Sequence, residues 1–136
     1  MPTTAQFPEY VLKVESRYEF DATVIRITEA LTSRGMIIFA DIDQARFAAK
    51  TGAKLRPTRL ILFGNPKAGT PIMEANPNAA LELPLKVVVW QDDRGVVQVV
   101  YLDPTTLLGE RYGIEAALTS AFTPLSTLLR HAADGQ

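Results

Sequence analysis

The sequence predicts an α+β domain: a sheet of about five strands with helices packed on one of its faces. Three observations predict it. Short apolar, β-rich runs alternate with helical patterns in the order β-α-β-α-β-α-β-β-α-α. Leu85–Gln91 and Val96–Leu102, joined by Asp92-Asp93-Arg94-Gly95, form a hairpin and so require an antiparallel pair. Short Gly/Pro connections leave no linker, so a sheet with helices on one face is the simplest packing. A chain of 136 residues, 47% hydrophobic and 21% charged, suits one domain (1–136) with its own core. A sheet face left bare would need the tail or a second subunit to cover it.

Tyr10 to Val14 alternates weakly and reads as the first strand. Asp21 is positioned to cap a helix whose stripe is Val24, Ile27 and Leu31, with Gly35 as its left-handed end. Met36 to Ala40 reads as a buried strand, and Asp43 caps a helix through Lys50. Arg59 to Phe63 is a second buried strand, leading into the loop Gly64–Thr70. Thr70-Pro71 reads as the next helix start, a capping hydroxyl followed by proline at the first helical position, and Asn76-Pro77 breaks that helix. A further helical turn falls near Asn78 to Leu81. After the hairpin, Asp103-Pro104 starts a helix that ends at Gly113, and two C-terminal helices fill 114–132, restarted at Thr123-Pro124.

Composition excludes several chemistries. There is no cysteine, so disulfides, thiolate catalysis and Cys-ligated metals are out; a single histidine, His131, rules out a multi-histidine site. Fourteen Lys+Arg against fifteen Asp+Glu leave no basic excess for a nucleic acid. No stretch approaches the roughly 18 apolar residues of a membrane span. Met1 to Pro8 lacks a basic region followed by an apolar run, so it is not a signal peptide. The expectation is a soluble, cytoplasmic protein without nucleic-acid or membrane partners.

The strand-to-helix loop is the main candidate site. Backbone N–H groups there, with Lys67, are suited to an anion. Gly64, four residues, then Gly69 partly mimics a phosphate-binding loop, but Thr70 stands where lysine is needed and Pro71 follows it, so nucleotide hydrolysis is excluded. A tight turn with a capped helix would use the same residues. Asp41 and Asp43 point the same way along an extended segment and suit a cation, although Asp43 also serves as a cap. Trp90 and Tyr101 on the hairpin suit either a pocket lining or the core. Glu82 has no evident partner. No nucleophile elbow, catalytic constellation, metal site or cofactor motif is found.

Phe63-Gly64-Asn65-Pro66-Lys67-Ala68-Gly69-Thr70-Pro71-Ile72-Met73, then Asn76-Pro77, Ala80, Leu83-Pro84-Leu85-Lys86 and Tyr101, resemble the domain-of-unknown-function 302 family of small prokaryotic proteins. Phe20-Asp21-x-Thr23 and Phe39-Ala-x-Ile-Asp43 are similar to it too. The resemblance spans roughly Tyr10 to Tyr112. It implies a curved, mainly antiparallel sheet of the TATA-binding-protein-like class, with helices packed on it, and a homodimer. It implies neither DNA binding nor an established activity. Members often carry histidine after the Ile-Asp pair; here Gln44 stands there, so a metal, haem or proton-transfer role of that histidine is not carried over.

Three functions are thus expected in order. The first is a non-catalytic binding or sensing module for a small organic anion, using Gly64, Asn65, Lys67, Gly69, Thr70 and Tyr101. The second is a homodimeric interaction protein with no small ligand. The third is an enzyme using Asp41, Asp43 and Tyr101 for proton transfer, which requires those groups within hydrogen-bond reach of one another or of a substrate.

Overall fold

A computed structural model describes residues 8–135; the segment read as lacking a signal peptide lies almost entirely outside them. The elements are β1 (Val11–Glu15), α1 (Phe20–Ser33), β2 (Ile37–Asp43), α2 (Gln44–Lys50), β3 (Thr58–Gly64), α3 (Pro66–Ala75), β4 (Leu85–Gln91), β5 (Val97–Leu102), α4 (Pro104–Tyr112), α5 (Ala116–Thr119) and α6 (Leu125–Asp134). Short 3-10 segments lie at Pro77–Glu82 and Ser120–Phe122. The five strands form one open sheet in the order β1-β5-β4-β3-β2, and every pairing is antiparallel. The α+β architecture expected from the sequence is the one found.

Strand alternation decides the core. Ile61 and Phe63 in β3, Val87 and Val89 in β4, and Val99 in β5 point to one face and are fully buried. The α1 stripe of Val24, Ile27 and Leu31 packs there with Leu129 of α6. The opposite face carries the cross-strand row Ile42, Leu60, Val88 and Val100, all partly exposed.

The β4–β5 turn follows the expected chemistry. Gly95 has φ 84°, and Asp92 Oδ1 accepts from the N–H groups of Arg94 and Val96 at 2.9 and 3.0 Å. Those bonds, the one from Val96 foremost, hold the Asp92 carboxyl below its ordinary value.

Three local expectations are corrected. α1 begins at Phe20 after Glu19, not at an Asp21 cap: the Glu19 carbonyl accepts both the N–H and the hydroxyl of Thr23, both at 2.8 Å, which starts the helix earlier. Asp21 remains in the first turn, where its charge suits the helix dipole. β2 is not a buried strand but a sheet edge, with Ile37 47% and Phe39 51% exposed, because strand order leaves it one neighbour. α3 starts at Pro66 rather than at Thr70-Pro71. Asn65 caps it by accepting from Lys67 N–H at 3.1 Å, Pro66 occupies the first position, and Pro71 lies inside the helix.

Candidate functional site

The β3–α3 junction forms one wall of a cleft of about 320 Å³. Gly64, Asn65, Gly69, Thr70 and Met73 line it from that side; Phe39, Leu83, Leu85 and Phe122 close it with carbon. Two glycines make the room. A Cβ on Gly64 would sit 3.3 Å from the Phe39 ring, and one on Gly69 would meet Leu83 at 3.7 Å. The Leu83–Pro84 peptide bond, at the rim, is cis. No charged side chain lines the cleft among the described residues.

Gly64, Asn65, Gly69 and Thr70 are therefore brought together as the sequence suggests, but in a helix start rather than a loop. Lys67 lies outside the lining, and Tyr101 belongs to a different cavity. The expected backbone donors are already engaged. Lys67 N–H bonds the Asn65 side chain, and the N–H groups of Ala68 and Gly69 bond the Asn65 carbonyl at 2.9 and 2.8 Å. Pro66 has none to give. The Thr70 hydroxyl donates to the Pro66 carbonyl at 2.8 Å, leaving its oxygen free to accept. What remains is an apolar slot with Asn65 and Thr70 as its polar groups.

The acid-and-tyrosine trio is not assembled. Asp41, Ile61, Val87 and Tyr101 form one row across the sheet, so two strands separate the carboxylate from the phenol. Three strand spacings amount to roughly 14 Å. Asp41 instead accepts from Arg59 Nε and Nη2 at 2.8 and 2.6 Å, and this hydrogen-bonded pairing raises the Arg59 pKa. Asp43 caps α2 through Arg46 N–H at 3.0 Å. Glu82 does find a partner: the Tyr112 hydroxyl donates to its Oε2 at 2.7 Å, which pushes the phenol pKa up. Asn76 Nδ2 donates to the Tyr112 carbonyl at 3.0 Å, tying the segment after α3 to α4.

Phe39, Met73, Leu83 and Phe122 were not read as site residues. Phe39 sits at an irregularity in the β2–β3 register, between Ile38 and Ala40, which no sequence pattern announces. Phe39, Met73 and Leu83 carry a faint signal, since all three fall in stretches that resemble a known family.

The family model for "Domain of unknown function DUF302" matches residues 12–132. The chain belongs to the DUF302 family. The match runs beyond Tyr112 through the C-terminal helices, so these are part of the family domain. Two curated relatives, both named "Fluoride-specific ion channel FluC 1", come from Brucella suis and Brucella abortus; each is 32% identical over 127 residues, 90% of this chain. The chain spans about half the length of these relatives, 50% and 47% respectively. The crystal structure of an uncharacterized conserved DUF302 protein from Bacillus stearothermophilus is similar with a TM-score of 0.75, at 20% identity, covering 93% of this chain and 97% of that one. At that identity the likeness concerns the fold. No helix among the described residues is long and apolar enough to cross a membrane.

Proposed function

We propose that this DUF302 domain is a non-catalytic binding or sensing module for a small organic anion whose apolar body fills the cleft while its charge stays at the mouth. The observation that carries this reading is the apolar slot opened by Gly64 and Gly69. Its volume is at the lower end of the roughly 300–1,000 Å³ typical of ligand pockets. The carbon-rich lining supports an aromatic or short aliphatic body. Lys67, next in sequence to the lining Pro66, is the cation we assign to a carboxylate at the rim. We read the domain as cytoplasmic. In the Brucella relatives we assign the channel activity of the name to the half that this chain does not cover, and a sensing role to the matched half.

Isothermal titration with aromatic and aliphatic carboxylates, each beside its neutral alcohol, tests this. Met73→Trp, which fills the slot, should abolish binding of the carboxylates. Lys67→Ala should weaken the carboxylates alone. Carboxylate binding left unchanged by Lys67→Ala would remove the anion from the reading, and no binding of any carboxylate would remove the site.

The second reading, a homodimeric interaction protein with no small ligand, is favoured by the row Ile42, Leu60, Val88 and Val100 on the face opposite the core. Obligate homodimers bury well over roughly 2,000 Å². Sedimentation equilibrium should then give a dimer that Val88→Glu converts to a monomer; a wild-type monomer at micromolar concentration would sink it.

A further inference from the structure

A second cavity, of about 330 Å³, differs from the first in its chemistry. β5 and α6 bring the hydroxyls of Tyr101 and Ser126 within 2.8 Å of each other at its wall. Tyr101 is only 3% exposed. In such a pair one O–H donates to the other oxygen, so one O–H and several lone pairs remain. No other group among the described residues bonds either oxygen. A nearly buried hydroxyl with an unused donor gains most from a partner that water supplies poorly.

The rest of the lining selects the ligand class. Among the described residues Asp103 is its sole charged residue, and its carboxylate is held by Thr105 N–H at 3.2 Å and the Thr106 hydroxyl at 2.9 Å. A fixed negative charge with no cation opposite it among the described lining residues disfavours an anion. Leu12, Leu125 and Phe122 supply apolar surface. Phe122 also lines the first cleft, so a single ring is shared by the two cavities.

We propose that this cavity is a second ligand site, one that takes a small neutral molecule with a hydroxyl or carbonyl group on an apolar body, the polar group bonding the Tyr101–Ser126 pair. It does not rest on the anion site, since Phe122 is all the two linings have in common. The hydroxyl pair would equally tie α6 to β5 if it had no ligand, and the test separates these roles.

The experiment is an amide ¹H–¹⁵N titration of the full chain with benzyl alcohol, with benzoate as the charged control. Benzyl alcohol should produce saturable shifts at Thr105, Thr123 and Ser126. Tyr101→Phe and Ser126→Ala, each keeping the dispersion of a folded chain, should weaken that binding roughly three- to tenfold, the range of one hydrogen bond. Benzoate should leave those three amides unmoved, whatever it does at Gly69 and Thr70, which report on the first cleft alone. Absence of saturable shifts at Thr105, Thr123 and Ser126 overturns the proposal, as does unchanged affinity in both variants.

Discussion

The α1–α6 side of the molecule seals Ile27, Leu31 and Leu129 completely from solvent, whereas α2, beside the β2 edge, buries no residue and leaves Phe47 54% exposed. The same sheet supports both regions. The difference lies in what packs on it: α1 and α6 pack against each other as well as on the sheet, while α2 packs on β3 beside an edge strand. Tight packing is thus concentrated on the α1–α6 side, and the apolar cleft draws Phe39, 51% exposed, from the β2 edge. Ligand-binding regions are commonly drawn from the less stable part of a fold.

The sharpest test of this division is a pair of truncations. Leu129→Ala should lose about 2–5 kcal/mol in urea unfolding. Phe47→Ala, at an exposed site, should stay within about 0.5 kcal/mol. Comparable losses would erase the distinction between the two regions.

Removing the α4 cap comes next. Asp103→Ala forfeits the bonds to Thr105 N–H and the Thr106 hydroxyl and should destabilise by about 1 kcal/mol in the same assay.

Gly69→Ala sharpens the comparison in the opposite direction. Gly69 is helical, its φ is not positive, and an added Cβ would meet Leu83 at ordinary contact distance. Alanine should therefore stabilise the chain by about 0.5–1 kcal/mol, because glycine pays more backbone entropy in a helix. The same methyl narrows the cleft and should weaken ligand binding. A variant that gained stability without any loss of affinity would show that the glycine does not open the cleft to a ligand.

The smallest effect expected is at Asp92, in the exposed turn. Its pKa is lowered in the folded state from the usual 3.8, so its contribution is present above about pH 4 and is lost as pH falls through the folded value. Unfolding curves at pH 5 and pH 2.5 should show a slightly smaller acid loss in Asp92→Asn than in the wild type.

The hairpin, the α1 stripe and the Asp43 and Asp103 caps were legible because each is specified by residues close in sequence. The start of α3 was not. Asn65-Pro66 and Thr70-Pro71 both satisfy the same rule of cap plus proline, and the choice rests on how β3 delivers the chain. The edge position of β2 was hidden for a related reason: Met36 to Ala40 is as apolar as a central strand, and strand order is a property of the whole sheet. The cleft was half visible. Gly64, Asn65, Gly69 and Thr70 are contiguous enough to be noticed together, while Phe39, Leu83 and Phe122 reach it from three distant segments. Tyr101 was noticed for its strand position, yet the fold assigns it to Ser126 and a cavity of its own.

Native mass spectrometry of gently purified wild-type and Met73→Trp protein tests the central claim most directly, since it weighs oligomer and retained ligand together. The account predicts a defined small-molecule adduct on the wild-type chain that is missing from the folded variant. A folded wild type that carries no adduct, or an organic-anion adduct that survives Met73→Trp, would contradict it.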